Sequence, residues 1–356
     1  MKILHYVDEN RLSWAVPWLQ LLERHRELGD ENVVACRPGG TLGGRLEEKG
    51  FRVVSYRPPF PSLPRLCRGF SRILEETAPD LVHTRLSTAA SIAGYWGRRQ
   101  GVPVASTVDK FPKTRYYEKS DLLLACSGAV ARHMEGGGIP CEKLKVVPNG
   151  IDTAFYAPCP ETRETFRRQT GVEQETKVVL AAGRLVDWKG FDVLLEAFAL
   201  AKPENAVLWI VGEGPEKTRL EKTIDGLSLR GSVIMHPFAS DLRPFFWASD
   251  LFVLPSKTAE PFGLVLLEAM ASGLPVIATD AGGPREIVEK EAGWLVRPGD
   301  PVSLAESLLE ALGDGEILAA AGRAAVDRSR AFDVAEVARR TRSIYLSLLE
   351  GRFAER

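Results

Sequence analysis

Short, largely apolar runs alternate with longer segments of helical composition along the chain, and this alternation restricts the folds that the chain can adopt. Three examples are Ile3–Val7, Val33–Cys36 and Leu251–Leu254, each of which is followed by a polar or turn-forming residue. Runs of this length are typical of strands that are buried on both faces of a parallel sheet. Because helical segments connect them, the pattern predicts βαβ units and doubly wound α/β sheets.

The chain is longer than one such sheet requires. Its 356 residues exceed the size at which a single hydrophobic core stops growing. The alternation begins again at Val178, after a polar and proline-bearing segment at residues 153–172. We therefore expect two α/β domains, with this segment crossing from the first to the second.

The segment Pro255–Gly273 contains the most informative residues of the second half. Glu260 lies in a loop after the predicted strand Leu251–Leu254, and a run of helix-forming residues follows that loop. A junction of this kind leaves backbone N–H groups unpaired at the positive end of a helix. We predict that three of these amides bind a phosphate, namely those of Gly263, Leu264 and Val265.

Glu268 is an acidic residue in a helix that is otherwise apolar nearly all round. Such a helix is predicted to be buried, and a buried carboxylate needs a partner because an unpaired charge is costly there. Glu268 lies one turn after Leu264, on the face of the predicted phosphate site. The hydroxyls of a nucleotide's ribose would satisfy it.

Three further loops after predicted strands carry candidate ligand-binding residues. In the first, Gly183–Gly190, the Arg184 guanidinium and the Lys189 ammonium could reach one anion. The second loop contains Gly212, Glu213 and Gly214, where glycine allows a ligand to approach the backbone closely. The third begins at His236 and contains Phe238.

Residues 260–283 of this chain read E-P-F-G-L-V-L-L-E followed by A-M-A-S-G-L-P-V-I-A-T-D-A-G-G. This segment resembles the E-x7-E signature of the retaining glycosyltransferases of family four. The Gly183–Gly190 loop resembles the family's G-R-L-x3-K-G pattern at each specified position. Matches run from about Asp80 to Val296. The resemblance implies the GT-B fold, an α/β fold of two Rossmann-like doubly wound parallel-sheet domains facing a cleft.

The resemblance also implies domain boundaries and roles. Residues 1–152 together with a C-terminal helix, 333–356, would form an acceptor-binding domain, and residues 153–332 a domain that binds the nucleotide-sugar donor. In the second domain Arg184 and Lys189 would bind the diphosphate, Glu260 the transferred sugar and Glu268 the ribose. The other donor-binding candidates are Gly183, Gly212, Glu213, His236, Phe238, Phe262, Gly263, Leu264 and Val265.

The first half departs from the family at two places. Most members carry a Gly-Gly loop after the first strand, whereas this chain has Asp8–Ser13, which leaves Asn10 and Arg11 as candidate contacts of the first domain. Many members show H-x-H after a later strand, whereas here it reads His83-Thr84-Arg85. Arg85 is therefore a catalytic candidate that signals an anionic or unusual sugar or acceptor, unless it forms a structural ion pair. His83 is a further candidate contact.

Charge and composition restrict the partners and cofactors. Residues 1–150 contain 22 Lys and Arg against 16 Asp and Glu, which leaves 24 against 31 for the remainder. The basic first half could meet an anionic lipid surface or a phosphorylated acceptor. The sequence contains no D-x-D motif and no C-x-x-C motif, so we expect neither a metal nor another cofactor. Its five cysteines and the lack of an 18-residue apolar run fit a cytoplasmic protein, in which membrane contact is peripheral on the inner face.

The predicted function is transfer of a sugar from a nucleoside-diphosphate sugar to a glycan or glycolipid acceptor, with retention, in lipopolysaccharide or surface-polysaccharide synthesis. We expect no nucleic acid partner. Two alternatives stay open at this point: a nucleotide-sugar 2-epimerase on the same fold, and a non-catalytic nucleotide-binding protein. A dinucleotide-dependent oxidoreductase is disfavoured because no G-x-G-x-x-G follows the first strand.

Overall fold

A computed structural model describes residues 1–11 and 15–351, which form two compact units. The first unit comprises Met1–Asp152 together with the C-terminal segment that begins at Asp333, and the second comprises Thr153–Phe332. Helix-like spacing of apolar residues in the sequence predicts a first helix over Trp14–Leu28, and the predicted last helix ends at 356. Trp14 and residues 352–356 lie outside the described residues.

A seven-stranded parallel sheet forms the centre of the first unit. Its strand order is β3-β2-β1-β4-β5-β6-β7, so the direction of winding reverses between β1 and β4. Most strand residues are buried, as predicted from their apolar runs. The strands are β1 (Lys2–Val7), β2 (Glu31–Cys36), β3 (Arg52–Ser55), β4 (Leu81–Arg85), β5 (Val104–Val108), β6 (Leu122–Ala125) and β7 (Leu144–Val146).

Helices connect these parallel strands. Ser127 caps the start of the last of them, because its hydroxyl accepts a hydrogen bond from the Val130 amide at 3.2 Å. The proline-rich loop before the third helix contains a short 3-10 turn, Pro64–Leu66. The helices are α1 (Val16–Glu27), α2 (Thr41–Glu48), α3 (Arg68–Thr77), α4 (Ser87–Gln100) and α5 (Gly128–Gly136).

The second unit repeats the arrangement with a six-stranded parallel sheet in the order β10-β9-β8-β11-β12-β13. Here the winding reverses between β8 and β11, and ligands of doubly wound sheets bind outside the carboxyl ends of strands at such a reversal. The strands are β8 (Lys177–Ala182), β9 (Ala206–Val211), β10 (Val233–His236), β11 (Leu251–Leu254), β12 (Val276–Thr279) and β13 (Gly293–Val296).

The helices of the second unit include two in residues 153–172, where the sequence indicated only a crossing segment. No helix in the described ranges has both the length and the apolarity needed to cross a membrane. The helices are α6 (Thr153–Tyr156), α7 (Pro160–Thr170), α8 (Phe191–Ala201), α9 (Lys217–Gly226), α10 (Arg243–Ala248), α11 (Leu264–Ala271), α12 (Pro284–Ile287), α13 (Pro301–Gly313) and α14 (Gly315–Ser329).

The last helix, α15 (Val334–Leu349), belongs to the first unit. Its apolar face is buried there, as the amphipathic pattern of the tail predicted. Two polar contacts fix its position: the Tyr345 hydroxyl shares a hydrogen bond with His83 at 2.6 Å, and the Arg342 guanidinium donates to Asp30 at 3.1 Å. The helix is therefore attached to the first sheet by specific polar bonds as well as by packing.

A buried arginine attaches α7 to the second sheet. The Arg167 side chain is inaccessible to solvent and donates to the Asp250 carboxylate at 2.7 Å. It also donates to the backbone carbonyl of Ala248 and to three carbonyls after α7, those of Glu173, Gln174 and Thr176. Burial lowers the pKa of Arg167, but the Asp250 carboxylate opposes that effect.

We expect the substitution Arg167→Met to lower the free energy of unfolding by about 3 kcal/mol, because it leaves several buried carbonyls without their donor and removes one of the two arginines that pair with Asp250. Arg168→Met is the matched control, since Arg168 is exposed on the same helix. Urea denaturation of both variants measures the difference. Equal stabilities would show that the Arg167 cluster does not hold α7 in place.

Candidate active site

The loops that follow β8, β9 and β10 lie against one another at the carboxyl edge of the second sheet. The Gly183 amide donates to Val211 at 3.0 Å, and the Gly212 amide donates to His236 at 3.1 Å. A Cβ on Gly212 would lie 2.0 Å from the Gly183 carbonyl oxygen, so only glycine fits there. The predicted glycines of the donor loops thus serve close backbone packing.

The loop after β8 also contacts the loop after β11. A Cβ on Gly190 would lie 2.0 Å from the Pro255 carbonyl oxygen, and the Lys257 amide donates to Trp188 at 2.8 Å. The Lys257 ammonium pairs with Asp187 at 2.8 Å and with Asp192 at 2.7 Å. These contacts fix the backbone on both sides of Lys189.

Lys189 and Glu260 form an ion pair at this junction. The Lys189 Nζ lies 2.5 Å from Glu260 Oε1, and the Ser256 hydroxyl donates to the same oxygen at 2.6 Å. Glu260 is 4% exposed, which makes the pair far less screened by water than a surface pair would be. The structure therefore brings together two residues that were predicted to act on different parts of one ligand.

The backbone of Glu260 is held by the loop after β12. The Gly283 amide donates to the Glu260 carbonyl oxygen at 2.9 Å, and a Cβ on Gly282 would lie 2.1 Å from that oxygen. Gly282 and Gly283, the Gly-Gly pair of the family pattern, thus hold the backbone of Glu260 in place.

The helix α11 begins directly beside Glu260. Its N-cap, Gly263, has a φ of 107°, which L side chains rarely adopt. No described residue accepts a hydrogen bond from the amides of Gly263, Leu264 and Val265. The Phe262 side chain is buried and packs against Phe332, so a ligand could meet only its backbone.

Glu268 lies one turn further along α11 and is half-buried. Burial raises the pKa of its carboxyl from 4.5 to about 7, and a hydrogen bond from the Tyr156 hydroxyl opposes that rise. Burial raises the pKa of Tyr156, and the nearby Glu268 carboxylate raises it further. Glu268 is therefore poised to change its charge near neutral pH.

Two predicted donor-binding residues stand apart from the Lys189–Glu260 pair. Arg184 is exposed, and no described residue forms an ion pair with its guanidinium. Glu213 is exposed as well and pairs with Lys217 at 3.0 Å. The structure does not place either side chain on the pair.

The predicted donor-binding residues His236 and Phe238 lie at the end of β10. His236 is half-buried between the rings of Trp209 and Phe245, at centroid distances of 5.3 and 5.1 Å, and burial lowers its pKa. Phe238 is 67% exposed, so its ring is available for stacking.

The four candidates of the first unit are held within it. The Asn10 side-chain oxygen accepts from the amides of Leu42 and Gly43 at 3.0 Å, which caps α2. Arg11 is exposed and lies 3.6 Å from Glu9. His83 is buried between Tyr345 and Thr107, and burial holds its pKa well below 6.5.

Arg85, the fourth candidate, pairs with Asp109 at 2.8 Å, and Asp109 also accepts from Asn149 at 3.1 Å. The Nε atom of Arg85 is buried and without a described partner. Arg85 therefore forms the structural ion pair that was one prediction. Its Nε donor also remains available to another group, as the prediction of a catalytic role requires.

Sequence reasoning missed the residues that position the predicted ones. Ser256, Tyr156 and Lys257 each bond to a candidate side chain or its loop. Ser256 and Lys257 lie within the informative segment, but no spacing rule assigns them a partner. Among the described residues, no group of three or more His, Cys, Asp or Glu side chains is arranged to hold a metal ion.

Two family models match the chain in succession. The model of family 4 glycosyltransferases matches residues 18–155, and the model of group 1 glycosyl transferases matches residues 162–328. The chain belongs to the group 1 glycosyltransferases of family 4. Membership confirms the resemblance, and the two parallel sheets together with related solved structures confirm the predicted GT-B fold.

This glycosyltransferase is similar to several curated relatives. It is 30% identical over 308 residues to the lipopolysaccharide core biosynthesis glycosyltransferase LpsE of Rhizobium meliloti, a match that covers 84% of this chain and 85% of LpsE. It is 28% identical to the sulfoquinovosyl transferase of Arabidopsis thaliana, over 86% of this chain and 65% of the plant protein.

The solved structures include a near neighbour of this glycosyltransferase. The Anabaena protein HepE, crystallised with UDP and glucose, has a TM-score of 0.84 and 26% identity, over 98% of this chain and 100% of HepE.

Three curated relatives, the plant protein among them, are covered over only 65%, 46% and 22% of their length, which is less than two thirds.

The raised pKa of Glu268 makes a pH-dependent prediction about stability. Between about pH 4.5 and 7 the folded protein binds a proton that the unfolded chain has lost, so stability falls as pH rises through that range. Glu268→Gln removes this loss. We expect the variant to be more stable than the wild type by about 1 to 3 kcal/mol at pH 8, and no more stable at pH 4.

Urea denaturation at both pH values tests this prediction, with Glu306→Gln, an exposed residue of α13, as the control. A stability difference between wild type and Glu268→Gln that does not change with pH would contradict it.

Proposed function

We propose that this glycosyltransferase moves a sugar from a nucleoside-diphosphate sugar to a glycan or glycolipid acceptor with retention of configuration. The Lys189–Glu260 pair beside the unpaired amides of α11 carries the proposal. It places a cation and a helix N-terminus at the sheet edge where such folds bind nucleotides. The similarity to HepE, which was crystallised with UDP and glucose, supports this donor class.

The departing diphosphate needs positive charge. As the bond between the sugar's C1 and the phosphate oxygen breaks, both electrons go to that oxygen and the sugar ring becomes oxocarbenium-like. An ammonium has three donors, so Lys189 can keep one on Glu260 and direct others at a phosphate oxygen. The amides at the start of α11 add fixed positive partial charge, and Arg184, which has no described ion-pair partner, can turn toward the same phosphates.

The two carboxylates would orient the donor. Glu260 has one oxygen bonded to Ser256 and Lys189, which leaves the other for hydroxyls of the transferred sugar. Glu268 would accept hydrogen bonds from the ribose hydroxyls. Phe238, with its exposed ring, would cover the base. We assign no protein nucleophile: retention would follow from attack on the face that the diphosphate leaves, with a phosphate oxygen taking the acceptor's proton.

The acceptor proposal rests on relatives and on charge. LpsE is named for lipopolysaccharide core synthesis, and the first half of this chain is basic. A phosphorylated or lipid-linked saccharide precursor fits both observations. A lipid-linked acceptor would bring the enzyme to the inner face of a membrane, so peripheral contact with an anionic membrane is part of the proposal.

We expect Lys189→Met to reduce the rate of donor turnover by about 100- to 1,000-fold, because it removes a cation aimed at the leaving group. A panel of uridine, guanosine and adenosine diphosphate sugars, with release of the nucleoside diphosphate as the readout, measures the effect. Lys202→Met is the control, since Lys202 is exposed at the end of α8. Equal activity of the two variants would remove Lys189 from the mechanism.

The same assay distinguishes the alternative enzyme. A 2-epimerase would exchange the proton at C2 of the donor sugar in heavy water without any acceptor. Deuterium in the recovered donor, with no transfer product, would replace the transferase proposal.

The proposed charge stabilisation does not route through a divalent ion. We therefore expect donor turnover to continue at an unchanged rate in excess EDTA. Loss of activity in EDTA that is restored by Mg²⁺ or Mn²⁺ would contradict a mechanism that depends only on Arg184, Lys189 and the α11 amides.

A further inference from the structure

A surface of the first unit combines exposed apolar side chains with unpaired arginines. Three large apolar residues of the proline-rich loop before α3 are strongly exposed: Phe60 by 52%, Leu63 by 43% and Leu66 by 41%. The segment Arg57–Arg72 around them contains four arginines and no acidic residue. We call this loop, together with the arginines beside it, the basic apolar face; its arginines are Arg57, Arg65, Arg68, Arg72, Arg98 and Arg99.

The exposed apolar residues are presented by a braced loop. The buried Cys67 thiol donates to the Phe60 carbonyl oxygen at 3.3 Å, and the Leu63 and Leu66 amides close two successive turns at 2.9 Å each. The indole N–H of Trp96 on α4 donates to Pro64 at 2.9 Å. Because the backbone is fixed in this way, the loop cannot bury these side chains without breaking its own bonds.

The arginines of this loop lack internal partners. No described residue forms a hydrogen bond or an ion pair with the side chains of Arg57, Arg65, Arg68 or Arg72. Elsewhere in the chain, arginines such as Arg37 and Arg163 are paired with carboxylates. Four guanidiniums without a described partner, two before α3 and two in its first turns, present positive charge to an external anion.

The helix α4 extends the charge beside the loop. Gln100 donates to Ser71 of α3 at 2.7 Å, so the end of α4 lies against the same segment. Arg98 and Arg99 come from this turn and are both exposed. Arg99 rests over the ring of Tyr95 at 5.8 Å, and Arg98 donates to backbone carbonyls. Neither arginine forms an ion pair with a described carboxylate, although Gln100 also donates to Glu75 at 3.1 Å.

We infer that the basic apolar face docks the enzyme on an anionic lipid bilayer. Phe60, Leu63 and Leu66 would enter the headgroup region, while the arginines around them bind lipid phosphates. A nucleic acid fits less well, because two of the three exposed apolar residues are leucines, which offer no ring on which a base could stack. The basic apolar face would be the site of the peripheral membrane contact in the proposed function. Docking at this face does not depend on the proposed sugar transfer.

The test is sedimentation of the full chain with phosphatidylcholine vesicles and with vesicles of equimolar phosphatidylcholine and phosphatidylglycerol, without donor or acceptor. We expect binding only to the anionic vesicles. The variant Arg65→Gln/Arg68→Gln/Arg72→Gln should bind about 100-fold more weakly, since each basic residue near such a surface contributes about a factor of five. Binding should also be lost at about 1 M salt.

A matched control removes the same charge from the second unit. Lys202→Gln/Lys222→Gln/Arg323→Gln changes three exposed cations that have no described ion-pair partner, and it should bind vesicles like the wild type. Equal losses in both triple variants would show a diffuse effect of net charge and overturn the assignment. The assignment is also overturned if the wild type does not bind anionic vesicles. It is overturned as well if the wild type binds a single-stranded oligonucleotide more tightly and the arginine variant loses that binding.

Insertion of the apolar residues has its own readout. An environment-sensitive dye on Leu63→Cys, in a Cys141→Ser background, should shift its emission to the blue on anionic vesicles. The same dye on Leu309→Cys, exposed on α13, should not shift. Donor turnover with a soluble acceptor should be unchanged in the arginine variant, so that a failure of docking and a failure of the proposed reaction give different results.

Discussion

The ion pair between Lys189 and Glu260 is the contact around which the second unit's site is built. Its two residues are 71 positions apart, and their side-chain atoms lie 2.5 Å from each other. Neither could be buried alone at low cost, because an unpaired charge in a protein interior must be desolvated without compensation. The pair therefore keeps a carboxylate and an ammonium in a place largely shielded from water, where both would act on a bound ligand more strongly than they would in water.

Close backbone packing makes that pair possible. Gly190 and Gly282 each lie where a Cβ would come within 2.1 Å of a carbonyl oxygen, on Pro255 and Glu260 respectively. An alanine at position 190 would push apart the loops that carry Lys189 and Glu260, and an alanine at position 282 would push the loop after β12 away from Glu260. The glycines thus have a structural role first, and their value for ligand binding follows from it. Lys257 supports the same loop with its two aspartate partners, which makes it a positioning residue.

Sequence could predict the elements but not all of their contacts. The bounds of Leu251–Leu254 are those expected, because a fully buried run leaves a clear apolar signal. The helix α7 left no such signal, since the residue it buries is Arg167, whose carboxylate partner is 83 positions away. The Lys189–Glu260 pair and the bond from Ser256 were hidden for the same reason: a motif fixes local spacing, whereas these contacts depend on how separate loops meet.

Glu268 has a cost for folding that the proposed ligand would remove. In the free protein burial raises the pKa of this carboxyl to about 7, so at neutral pH a large fraction is protonated. A ribose diol that donates two hydrogen bonds would favour the charged form and bring the pKa down again. By linkage, binding of the nucleotide would then release a proton from Glu268. Under the proposed function, the residue would be unfavourable for folding above pH 7 and favourable for the bound state, which is the trade-off expected of a carboxylate that serves recognition rather than packing.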